Sequence, residues 1–210
     1  MDDERIALFS EAIRERGVGV VGRLDVTITA NDCWWIYKIL SSLKDNPTVL
    51  EFAGGAGTST SCAKEALCDK PVDFYTIESD TSLYDDLQSI INGWGILLPG
   101  AADDLLDEIP DQLDALILDA YHHYSCAQWY ITNLWPRVVP GGYCMIHDMF
   151  YRSDLGDEYK TVLTSLDLIK WNIVHQTKDE SPTPSGWSYL TGYPSGIQNS
   201  LLIIRRTDAN

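Results

Sequence analysis

The stretch Val49-Leu50-Glu51-Phe52-Ala53-Gly54-Gly55-Ala56-Gly57-Thr58 constrains the fold of this chain more than any other. An apolar, β-branched run carrying one acid enters a loop of small residues, and a helix-forming segment, Ser59 to Leu67, follows. Strand, turn and helix N-terminus in that order bring backbone amides close to a nucleotide-like ligand. Gly55 and Gly57 allow backbone conformations that a side chain would forbid. The dinucleotide fingerprint G-x-G-x-x-G does not fit, because Thr60 stands where its third glycine belongs. The plainer reading of the same string is a tight turn between a buried strand and its helix.

Apolar runs and breakers alternate along the rest of the chain, the pattern of a mostly parallel sheet with helices on both faces. Strands are expected at Thr48 to Phe52, Phe74 to Glu78, Ile96 to Leu98, Ala115 to Leu118, Tyr143 to Ile146, Ile169 to Val174 and Leu201 to Ile204. The fifth is expected to follow a turn at Pro140-Gly141-Gly142. Helices are expected over Glu4 to Arg16, Asn31 to Leu43, Ser59 to Leu67, Ser82 to Ile91, Gln128 to Trp135 and Tyr159 to Leu166. A length of 210 residues suits one α/β domain with a full core, with residues 1–46 as an N-terminal helical cap.

Acids mark the ends of these strands. In an open α/β sheet, ligands bind outside the carboxyl ends of the strands. Glu51, Glu78, Asp119 and Asp148 all lie at or just past such ends, so four acids from distant sequence are expected on one rim. Glu78 ends the second strand at the spacing where a carboxylate accepts both ribose hydroxyls. Four like charges on one rim call for a cationic ligand, a metal or hydrogen-bond donors nearby. His122, His123, His147 and Asp148 are the candidate general bases. His147, at the end of a strand, also reads as a satisfied core histidine.

The motifs also form a series. Glu51 to Gly57 reads E-x-A-x-G-x-G, and Asp119-Ala120-Tyr121-His122-His123-Tyr124 reads D-x-x-H-x-Y. Trp135-Pro136, Pro140-Gly141-Gly142 and His147-Asp148 follow in order. From Val49 to Asp148 this series resembles the class I S-adenosylmethionine-dependent methyltransferases, in particular the small-molecule O-methyltransferases and their cephalosporin-hydroxylase-like relatives. Ala53 departs from the first glycine of that family's E/D-x-G-x-G-x-G motif. The resemblance implies a Rossmann-like α/β fold with a central, mostly parallel seven-stranded sheet and flanking helices. It implies methyl transfer from S-adenosylmethionine to a hydroxyl of a specialised or sugar-containing small molecule. Glu51, Ala53, Gly55, Gly57, Glu78 and Asp119 would then serve the cofactor, and His122, Asp148 and Asp119 the chemistry. Asp119 and Asp148 are candidate Mg²⁺ ligands, since oxygen donors at two strand tips suit that ion. Met149 stands where some related families carry a third ligand, Asp or Asn.

Fifteen basic against 31 acidic residues give a formal charge of −16, which disfavours nucleic acid as a partner because such binding rests on neutralising phosphates with Lys and Arg. No apolar stretch reaches about eighteen residues and no charged-then-apolar leader follows Met1, so a cytoplasmic protein that does not enter membranes is expected. The five cysteines are odd in number and scattered, and read as reduced, small apolar residues. Residues 178–198 hold three prolines and three glycines together with Trp187, Tyr189 and Tyr193, a composition expected of a lid over an acceptor or of a homodimer contact. A relative that binds S-adenosylmethionine but catalyses another reaction, or only binds, is the alternative function.

Overall fold

The computed structural model describes residues 30–120, 124–147, 162, 165, 170–176 and 201–207. Four α-helices lie there: α1 (Ala30–Ser41), α2 (Thr58–Leu67), α3 (Tyr84–Ile91) and α4 (Tyr124–Asn133). The strands are β1 (Thr48–Phe52), β2 (Asp73–Glu78), β3 (Ile96–Pro99), β4 (Leu113–Leu118), β5 (Val138–His147), β6 (Trp171–Gln176) and β7 (Leu201–Arg206). They form one seven-stranded sheet in the order β3-β2-β1-β4-β5-β7-β6. All pairings are parallel except those of β7, which runs antiparallel between β5 and β6. This is the Rossmann-like architecture expected from the resemblance. The helix expected over Glu4 to Arg16 and the loop 178–198 lie outside the described residues, as does most of the Tyr159 to Leu166 segment.

Burial explains the order of the strands. Every residue of β4, Leu-Asp-Ala-Leu-Ile-Leu, is buried, as a central strand covered on both faces requires. Successive side chains then alternate between two cores. Val49, Ala115, Ile117, Met145 and Ile203 meet Cys33, Ile36 and Leu40 of α1 and Cys62, Ala63 and Leu67 of α2. Leu50, Leu116, Leu118, Cys144 and Ile146 meet Ala127 and Tyr130 of α4, with Leu134 and Trp135 beyond it. The order reverses between β1 and β4, whose partners run from Val49 opposite Ala115 to Phe52 opposite Leu118. A crevice opens at the carboxyl ends of two strands where the connections part to opposite sides.

Two segments differ from the sequence expectation. Pro140-Gly141-Gly142 is not a turn ahead of β5 but lies inside it. Leu113 faces Val138 and pairing resumes only at Ala115 opposite Tyr143, so the extra β5 residues form a bulge. A Cβ on Gly142 would stand 2.9 Å from the Val139 carbonyl oxygen and 3.0 Å from that of Asp114, so the bulge has no room for a side chain there. The segment expected as a helix from Ser82 begins instead as a 3₁₀ turn, Thr81–Leu83, capped by Asp80, which accepts from the Ser82 amide at 2.9 Å. Cys33, Cys62 and Cys144 are buried as small apolar residues are, whereas Cys68 is exposed. Among the described residues no helix is long and apolar enough to cross a membrane.

Candidate functional site

The glycine loop leaves the end of β1 and turns sharply before α2. Ala53 and Gly54 both donate their amides to the Ile77 carbonyl at the end of β2, at 2.9 and 3.2 Å. Ala53, Gly55 and Gly57 have φ of 66°, 53° and 84°, left-handed conformations that cost an L-residue about 1–2 kcal/mol. Ala53 therefore adopts the backbone shape that the first glycine of the motif would adopt without strain. The glycines serve different ends. A Cβ on Gly54 would lie 2.5 Å from Thr76 Oγ1, so the core demands a glycine there, whereas a Cβ on Gly55 would meet nothing within 4 Å. The open side of the loop is at Gly55.

Two carboxylates hold this loop. Glu78 Oε2 accepts from the Gly55 amide and its Oε1 from the Asp80 amide, each at 2.8 Å. Two neighbouring strand ends are thereby joined through one side chain. Glu51 is entirely buried, and its Oε2 accepts from Thr60 Oγ1 at 2.6 Å and from Thr76 Oγ1 at 2.7 Å. It props the loop from below and does not reach the rim. Burial pushes the Glu51 carboxyl above the usual carboxylate range, partly offset by hydroxyl donors of Ser59, Thr60 and Thr76, with the Asp119 charge adding to the rise.

Across the crevice, the Asp119 amide donates to the Phe52 carbonyl at 3.1 Å, closing β4 onto β1. The Asp119 carboxylate meets His147 at the end of β5: Nδ1 lies 3.0 Å from Oδ1. The opposite nitrogen, Nε2, lies 3.5 Å from Asp32 Oδ2 of α1. The His147 and Asp32 side chains are 1% and 0% exposed and that of Asp119 is 17% exposed, so the arrangement runs from the core outward to the crevice.

The structure thus brings together Glu51, Ala53, Gly55, Gly57 and Glu78 on one side and Asp119 with His147 on the other. His122, His123 and Asp148 lie outside the described residues. Among the described residues no group of three or more His, Cys, Asp and Glu side chains is placed to hold a metal ion. Sequence reasoning did not single out Asp32, Thr60 or Thr76. Thr60 entered only as the missing third glycine. An acid set among Cys33, Trp34, Trp35 and Ile36 was the available signal for Asp32.

Residues 52–149 match the family model of a methyltransferase domain. No curated protein matches the sequence. Among solved structures, a proposed O-methyltransferase from Klebsiella pneumoniae is similar at TM-score 0.66 and 14% identity, over 96% of this chain and 97% of that one. An O-methyltransferase from Bacillus cereus in complex with SAH is similar at TM-score 0.63 and 11% identity, over 98% and 92%. A proposed rRNA methylase from Clostridium thermocellum also reaches TM-score 0.63, at 12% identity over 86% and 96%. At such identities these likenesses speak for the fold.

Proposed function

We propose that this chain, whose fold and matched segment are those of a class I S-adenosylmethionine-dependent methyltransferase, transfers a methyl group to a hydroxyl of a small, specialised or sugar-containing acceptor. The observation that carries this reading is Glu78 Oε2 on the Gly55 amide at 2.8 Å, which couples an open glycine loop to an acid at the next strand end. The residues present fit the cofactor. A side chain at Gly55 would occupy the empty space above the loop, and each Glu78 oxygen, having accepted one N–H, keeps acceptor capacity for a ribose hydroxyl. Ala53, Gly55 and Gly57 would line the ligand with backbone, Glu51 would support them, and the Asp119 carboxylate would face its cationic part.

Bound S-adenosylmethionine supplies an electrophilic methyl group on a sulfonium. The chain must then hold the acceptor oxygen in line and remove its proton as it attacks. His122, three residues beyond Asp119, is assigned as that base, with Asp148 as its alternate. The rRNA methylase likeness does not favour an RNA acceptor here, because a charge of −16 opposes a polyphosphate backbone. Calorimetric titration with S-adenosylmethionine, its demethylated product SAH and NAD tests the cofactor, and mass spectrometry of hydroxylated metabolites and RNA after incubation tests the acceptor. Tighter binding of NAD ends the assignment. Cofactor binding with no methylated product favours a relative with another reaction, or a binding protein.

A further inference from the structure

Asp32 is a fully buried acid on a helix whose face toward the sheet is otherwise apolar, carrying Cys33, Ile36, Ile39 and Leu40. A buried carboxylate is costly unless a partner compensates it. Its oxygen faces His147 Nε2 at 3.5 Å, while Nδ1 of the same ring faces Asp119 Oδ1 at 3.0 Å. The imidazole thus stands between acids from different layers, hydrogen-bonded through Nδ1 to Asp119 at the β4 end and facing Asp32 of α1 with Nε2 at the longer, ion-pair separation. An imidazole held at one nitrogen can still pivot, and an acid packed against the second restrains the ring plane and the direction of the first N–H. Asp119 is the partly exposed member, and Oδ1 is the oxygen that the ring engages.

We infer that Asp32 is a positioning residue for Asp119, acting through His147: α1 sets the ring, and the ring sets the carboxylate that faces the crevice. This rests on the reading of Asp119 as a cofactor-side group. The connection is built by packing, since α1 precedes β1 in the chain and belongs to no part of the glycine-loop motif.

The test uses the whole protein with SAH as probe, in Asp32→Asn, Asp119→Asn and the double variant, with thermal melts alongside. Asp119→Asn should weaken SAH binding about tenfold or more, as loss of a charged acceptor does. Asp32→Asn should weaken it about threefold or more, and the double variant should match Asp119→Asn within about twofold, since both act on one carboxylate. An additive double variant overturns the inference. So does an Asp32→Asn protein that melts earlier yet binds SAH as tightly as the parent. A second measurement needs no ligand: ¹⁵N NMR of the histidine rings. His147 should show a protonated, hydrogen-bonded Nδ1 in the parent protein, and its ring signals should shift in both Asp32→Asn and Asp119→Asn. An unprotonated Nδ1, or signals that stay put in either variant, overturns the bridge even if a variant folds poorly. A parent protein that binds no SAH would end the functional reading, and the ring signals would still decide whether Asp32 orients Asp119.

Discussion

The two banks of the crevice are built differently. On the β1–β2 bank the hydrogen bonds are local: Glu78 reaches back to Gly55, and Glu51 to Thr60 and Thr76, between residues of one strand–loop–helix–strand unit. On the β4–β5 bank Asp119 depends on His147 from the next strand and, beyond it, on Asp32 from a helix laid down before β1. The first bank uses backbone amides and small residues, suited to a ligand whose shape is constant. The second uses side chains set by packing, so it can change with its chemistry while the loop stays the same. On the proposed function, the first bank would be the cofactor cradle and the second the reaction centre.

Breaking each bank separately sharpens this contrast. The largest effect is expected from His122→Ala, which should lower turnover about a hundredfold or more while SAH affinity by calorimetry stays within about twofold. Equal turnover would move the base to Asp148. On the β1–β2 bank, Glu78→Ala should act on affinity instead, weakening SAH binding by about 1.5–3 kcal/mol through loss of a charged acceptor. Unchanged affinity there would remove the cofactor from this loop.

Glu51 gives the first bank a pH signature. Its folded-state pKa is raised by burial above the ordinary 4.5, so the unfolded chain ionises first as pH rises. The stability linked to this site is fully present below 4.5 and is lost as pH climbs from there through the raised value. Urea unfolding between about pH 4 and pH 8 should show Glu51→Gln losing less stability than the parent over that rise, at most about 1.4 kcal/mol per pH unit. No difference would mean that Glu51 ionises without penalty, and a difference of the opposite sign that the fold favours its ionised form. The smallest effect is a gain. Ala53→Gly relieves a left-handed alanine at φ 66° and should raise stability by about 1 kcal/mol in a thermal melt, less the entropy that glycine adds to the unfolded chain.

Much of the first bank was legible in the sequence because it is written in neighbouring residues. Thr48 to Phe52 is β1 with the expected bounds, and the acid closing β2 is the one bonded to the loop. An apolar run between breakers and glycine chemistry are local signals that tertiary context had no reason to override. The second bank was legible only as a set of residue types. Pro140-Gly141-Gly142 carries turn chemistry, yet β4 continues alongside and converts it into a bulge. His147 fitted both a core histidine and a general base, and the structure finds it buried between two acids.

By itself, then, the sequence determined the alternation of strands and helices, the small-residue loop at the end of β1 and the acids at the strand ends, since each follows from side-chain period or backbone freedom within a few residues. Tertiary structure alone decided that Glu51 is sealed beneath the loop while Asp119 keeps an edge exposed, and that α1 lays Asp32 against His147. Those outcomes depend on which helix covers which face of the sheet, and that is settled by packing two cores at once.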